Sequence, residues 1–304
     1  MKLRVATCQF PVGADARANR NAMIRQMRQA RRRGAHLAHF CEGAISGYAG
    51  VDFPSFQGFD WDAAENAARD VARAAGELGL YVVFGGNHRR SGGLRPHNAV
   101  YVVDDRGRLI DRYDKRFCAG AGPGKDELAH FSSGDHTCRF TVRGVRCGVL
   151  VCHECRYPEL YREEMAAGVD LVLHSFHAAN VGARRYRAMQ AQVGRGNHGR
   201  NPGTTLPEIV MPALVHAAAA ANHLFISAAN SSAKQCCFGS FMVRPDGVIT
   251  GKLARNRAGV LISDVDPSAD LYDSTKAWRR RAMKGQFHSG SLRRDPRSKE
   301  RKAF

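Results

Sequence analysis

The apolar positions of the chain fall into two alternating periods. Residues 3–10 alternate loosely and predict a first strand, and Asn19 to Arg33 places Ala22, Ile24, Met27 and Ala30 on a helical stripe that stops near Gly34. His36–Phe40 is a second short strand. Ala63–Glu77 is an Ala-rich helix stopped by Gly79, followed by a buried strand, Leu80–Gly85. Asn98–Val103 and Arg108–Tyr113 flank the Asp104-Asp105-Arg106-Gly107 turn and predict a hairpin. Cys138–Val142 and Cys147–Cys152 pair as strands around Gly144. A helix opens at Tyr157-Pro158 and ends near Gly168, and Val169–His174 returns as a strand. Residues 178–207 are rich in Arg, Gly and Asn with little apolar periodicity, which predicts a long loop or lid. Glu208–Ala221 is a helix, Leu224–Ala228 a strand, and Phe238–Val243 with Val248–Leu253 a hairpin about Pro245-Asp246-Gly247. Gly259–Val265 is the last strand. Strands alternating with helices, with hairpins between them, predict an α/β protein with a mixed sheet.

At 304 residues and 44% hydrophobic content the chain builds a sizeable core. No run of 18 apolar residues is present, so no membrane partner is expected. The first ten residues read as a strand rather than a leader, and a cytoplasmic location is the expectation. Nine cysteines, an odd number, suggest reduced thiols rather than a disulfide framework. The formal charge is +18, and Thr275–Phe304 carries eleven Lys/Arg against two acids, so half of the excess lies in that tail. A basic tail suits nucleic acid. No nucleic-acid-binding motif accompanies it, so a solvated tail is the expectation and nucleic acid is not an expected partner.

Glu42, Lys115 and Cys152 each stand at the carboxyl end of a predicted strand, where ligands collect in layered α/β folds. A thiol attacks a carbonyl or nitrile carbon, a carboxylate takes its proton, and an ammonium stabilises the developing negative charge. Each residue alone has a plainer reading: a solvated carboxylate, a surface lysine, a buried small hydrophobe. A rival reading joins Cys152 and Cys155 with His174 and His177 as a Cys₂His₂ zinc site. Zinc would silence Cys152 as a nucleophile, so the two readings exclude one another.

Three stretches carry a specific resemblance: Phe40-Cys41-Glu42-Gly43-Ala44-Ile45-Ser46-Gly47-Tyr48, Tyr113-Asp114-Lys115-Arg116, and Gly148-Val149-Leu150-Val151-Cys152-His153-Glu154-Cys155-Arg156-Tyr157-Pro158-Glu159. In that order and spacing, and continuing through Asn222, Asn230 and Pro245-Asp246-Gly247, the chain resembles the carbon–nitrogen hydrolase (nitrilase) superfamily over residues 2 to 266. The resemblance implies an αββα sandwich that pairs into a four-layer homodimer, with 267–304 as a basic extension. It implies Glu42 as general base, Lys115 as stabiliser of the tetrahedral intermediate, Cys152 as nucleophile and Glu127 as the residue holding Lys115. It implies no cofactor and no metal. The backbone N–H of His153 would line the oxyanion hole. Glu154, Arg156, Tyr48, His177 and Asn180 are the further candidates for substrate contact, Arg156 toward a substrate carboxylate. Cys41 stands where proline is usual, His153-Glu154 where Tyr-Asp is commoner, and Ala218 and Ala221 where Arg and Glu are usual. The implied substrate is a linear amide or N-carbamoyl compound, with a nitrile as the alternative.

Overall fold

The computed structural model describes residues 2–120, 122, 124–292 and 295–302. The first half runs β1 (Leu3–Gln9), α1 (Ala16–Arg32), β2 (Leu37–His39), α2 (Trp61–Leu78), β3 (Tyr81–His88), β4 (His97–Val103) and β5 (Leu109–Asp114). The second runs β6 (Arg139–Val142), β7 (Val145–Val151), α3 (Pro158–Ala166), β8 (Leu171–Ser175), α4 (Ala183–Val193), α5 (Leu206–Asn222), β9 (Phe225–Ala229), β10 (Phe241–Val243), β11 (Ile249–Lys252) and β12 (Gly259–Val265). Two six-stranded mixed sheets result, ordered β12-β1-β2-β3-β4-β5 and β11-β10-β9-β8-β7-β6. β1, β2 and β3 run parallel in one sheet, and β7, β8 and β9 in the other.

The period of two along β1 explains the layering. Leu3 and Val5 enter the core shared with the second sheet, while Ala6 and Cys8 pack under Met23 and Met27 of α1. Helices α1 and α2 thus cover the outer face of the first sheet, and α3 and α5 pack together on the second. Asp60 caps α2, and Thr205 with Glu208 forms a capping box that starts α5.

The seam between the sheets is not wholly apolar. Burial pushes His39 down to about 3, so its ring is neutral. Ser175 Oγ donates to Phe40 O at 3.0 Å, so it must accept from His39 Nε2–H, also at 3.0 Å. His39 Nδ1 then accepts from Ser227 (2.9 Å), which in turn accepts from Thr7 (2.7 Å). This one-way chain of donors ties β1, β2, β8 and β9 together just behind Glu42.

The expected loop over 178–207 is instead partly helical, with α4 and a 3₁₀ segment at Arg195–Arg200. Helix α4 buries no residue, so no core-facing stripe marks it in the sequence. Beyond 266 the chain folds back on the end of α5: Arg279 grips Asp273 with both terminal nitrogens, and Thr275 reaches Ala221 O. Among the described residues no helix is long and apolar enough to cross a membrane.

Candidate active site

Strands β2, β5 and β7 end at the same edge of the sandwich and deliver Glu42, Lys115 and Cys152. Close backbone approach makes this possible. A side chain on Gly85 would lie 2.6 Å from Glu42 Cα and from Cys41 O. Gly43 adopts φ +64°, where a side chain would meet Gly47 O at 2.9 Å.

Lys115 is wholly buried, and Nζ donates to Glu42 Oε1 (2.9 Å) and to both oxygens of Glu127 (2.9 and 2.8 Å). Burial alone would lower its pKa. The carboxylates of Glu127 and then Glu42 reverse that and hold it well above the usual lysine range, so it stays charged. Burial would raise Glu127, but the Lys115 charge, the Ala119 N–H and the Asn98 amide hold it below its usual value. Asn98 Nδ2 donates to Glu42 Oε1 (2.6 Å) and Glu127 Oε1 (2.8 Å). The sequence reading missed Asn98. It lies one step beyond the Ala99–Asp114 pair, where its carbonyl accepts from Lys115 N at 2.9 Å, and nothing in the sequence marks that pairing.

One atom of this cluster is left over. Glu42 Oε2 is buried and accepts no hydrogen bond from the described residues. An unpaired carboxylate oxygen in a site that holds a thiol is an acceptor waiting for a proton.

Cys152 is half-buried at φ +47°, a left-handed conformation that costs an ordinary side chain roughly 1–2 kcal/mol. Its neighbours hold it there. Glu154 Oε2 accepts from Val151 N–H at 2.7 Å, and neutral His174 donates from Nε2 to Cys152 O at 3.3 Å. His174 Nδ1 in turn accepts from Tyr161 at 2.8 Å. Burial and then the Glu42 charge push the Cys152 thiol well above the usual range. Lys115 and a hydrogen bond from the His177 backbone N–H oppose that shift. The resting sulfur is therefore a thiol that needs a base, rather than a standing thiolate.

The further candidates divide. Tyr48 is half-buried, stacks on His177 (5.4 Å between centroids) and leans on Phe131 (5.7 Å), and its hydroxyl has no partner among the described residues. The His177 ring lies against Asp52 (Nε2 to Oδ2, 3.1 Å), so its backbone N–H rather than its ring faces the sulfur. Asn180 is expected at the substrate but donates to Asp52 at 2.8 Å, behind His177. His153 is half-buried beside Tyr157, and Arg156 is exposed and unpaired among the described residues, including with Glu159.

Glu154 corrects the expectation of a substrate contact. It is wholly buried, and its carboxylate accepts from Tyr113 Oη (2.7 Å), Arg116 N (2.8 Å), Phe117 N (3.2 Å) and Val151 N. It bridges the chain just after Lys115 to the chain just before Cys152. The four residues of the zinc reading do not gather: among the described residues no group of three or more His, Cys, Asp or Glu is placed to hold a metal.

Facing sheets that bring a thiol, a clamped ammonium and a half-free carboxylate to one shared edge define an α/β sandwich with these three groups at that edge. The chain belongs to the carbon–nitrogen hydrolase family, whose model matches residues 4–273. Among solved structures, an amidase of the nitrilase superfamily from Nesterenkonia sp. AN1 superposes with a TM-score of 0.70 at 22% identity, covering 93% of this chain and 96% of that one. That likeness is one of fold. The glutamine-dependent NAD(+) synthetase of Xylella fastidiosa is 33% identical over 176 residues, 56% of this chain and 31% of that protein. The chain thus spans about a third of the length of the synthetases it matches. The bovine deaminated glutathione amidase is 22% identical over 179 residues, 56% of this chain and 54% of that protein.

Proposed function

We propose that this protein is a cofactor-independent thiol amidohydrolase acting on a linear amide or N-carbamoyl compound. The observation that carries the reading is Glu42 Oε2, a buried acceptor without a donor among the described residues, whose carboxylate helps keep the Cys152 thiol protonated at rest. Glu42 takes the Cys152 proton as sulfur attacks the carbonyl carbon. The oxygen that becomes negative is met by the Lys115 ammonium and the His153 backbone N–H. Glu42 returns the proton to the departing nitrogen, the C–N bond breaks, and a thioester remains. Glu42 then deprotonates water, which attacks the thioester and releases the acid and the thiol. Glu127 and Asn98 act through Lys115 and Glu42, keeping one charged and the other oriented. The named relatives support an amide over a nitrile: a glutamine-dependent synthetase and an amidase for deaminated glutathione.

The partly exposed apolar side of α5, with Leu206 47% exposed beside Ile209, Val210 and Leu214, supports a homodimer formed through the α3–α5 layer. The test of activity is ammonia release from amides, carbamoyl amino acids and nitriles. Cys152→Ala removes turnover of the best substrate while the fold persists, and Cys155→Ala changes it little. Retained turnover in Cys152→Ala refutes the mechanism, and a nitrile outpacing every amide refutes the substrate class.

A further inference from the structure

Helix α1 carries a cationic side that the fold does not use. From Ala16 to Cys41 the chain has seven arginines and no Asp or Glu. Arg20 pairs with Asp70, Arg31 donates to Leu78 O and Arg33 to Val260 O. The side chains of Arg25, Arg28 and Arg32 make no hydrogen bond and no ion pair among the described residues. They stand at i, i+3 and i+7, a single stripe of about 10 Å. Like charges at those spacings repel, so helix stability does not account for them.

The stripe edges a cleft of about 700 Å³, with Pro11, Ala18 and Ala22 on its apolar side. Among the described residues no acid lines this cleft, whereas the one beside the C-terminal extension sets Asp270 and Asp273 against its Lys276, Arg279 and Arg280. Gln26, which also lines it, supplies a second observation. The side chain is more than nine-tenths buried, and Nε2 donates to Gln9 O (2.7 Å) and Gly259 O (3.2 Å). Its Oε1 accepts nothing from the described residues. A buried acceptor without a donor is costly unless something supplies one.

We propose that this cleft binds a nucleoside polyphosphate. The phosphate chain lies along Arg25, Arg28 and Arg32, where guanidinium groups bind phosphate oxygens in pairs. The nucleoside rests on Pro11 and Ala22 and offers an N–H or O–H to Gln26 Oε1. The cleft has the volume of a single small ligand rather than the length of a nucleic-acid track. The site is separate from Glu42, Lys115 and Cys152, and the proposal stands whether or not amide hydrolysis is the reaction.

The test is calorimetric titration of the full chain with ATP, tripolyphosphate, adenosine and a single-stranded oligonucleotide, without Mg²⁺, at two salt concentrations. ATP is expected to bind, more weakly at the higher salt, and at least tenfold more tightly than adenosine or tripolyphosphate. The triple variant Arg25→Gln, Arg28→Gln, Arg32→Gln keeps side-chain length and helix propensity. It is expected to weaken ATP tenfold or more with thermal stability and amide turnover unchanged. Absence of ATP binding, or equal binding to the variant, overturns the proposal. Tripolyphosphate matching ATP overturns the nucleoside part, and tighter binding of the oligonucleotide overturns the ligand class.

Discussion

Replacing Glu154 by Gln tests whether the two sheets are aligned at their catalytic edge by one buried carboxylate. In the native site Oε1 accepts from Tyr113 Oη, Arg116 N and Phe117 N, and Oε2 from Val151 N. Glutamine keeps an oxygen for one of these groups and turns an N–H₂ toward the other. If the oxygen stays with the three donors, the amide meets the Val151 N–H donor to donor. One hydrogen bond to a charged acceptor is lost, about 1.5–3 kcal/mol, and the unpaired donors add about 1–3 kcal/mol if they stay dry. A net loss of about 3 kcal/mol is expected, read by urea unfolding. The functional consequence is separate. Val151 precedes Cys152 and Arg116 follows Lys115, so relaxing the bridge lets sulfur and ammonium drift apart. A misplacement of about 1 Å is worth roughly 10²-fold in rate. Ammonia release should therefore show kcat down about 10–100-fold with KM within a few-fold. A variant that is less stable but retains the native kcat refutes the positioning role. One that is equally stable refutes the hydrogen-bond accounting.

Asn98→Leu removes the amide that touches both carboxylates. It should lower kcat about tenfold or more and leave the Cys152→Ala background unaffected, measured by the same ammonia assay. The neutral histidines give a pH prediction. Burial depresses His39 and His174 to about 3, below the unfolded value, so the unfolded chain binds protons that the folded one refuses. Stability is then intact above about pH 6.5 and falls as pH drops from there toward 3, by up to about 1.4 kcal/mol per pH unit for each ring. Urea midpoints at pH 7 and pH 5 check it, and His39→Gln should flatten the slope. Equal slopes in the two proteins would show that the His39 ring takes up protons alike in the folded and the unfolded chain, which refutes the depression by burial.

The sequence by itself determined the order of strands and most helices, because alternation and the 3.6-residue stripe both report a side facing a core. It also put Glu42, Lys115 and Cys152 at predicted strand ends, but it was the ordered match of three stretches to a family, and not local composition, that singled them out together with Glu127. What required tertiary structure is everything that depends on which ends meet. Asn98 joins the carboxylates only because β4 lies beside β5, and sequence distance carries no trace of that pairing. Glu154 and Asn180 are polar residues next to site residues, and adjacency alone cannot tell a side chain aimed at substrate from one turned inward to satisfy backbone N–H groups or Asp52. Helix α4 left no periodic mark because it buries nothing, and the arginines of α1 looked like an ordinary solvated face. The cleft wall contributed by 258–259 comes from more than two hundred residues away along the chain, and only the fold brings it against α1.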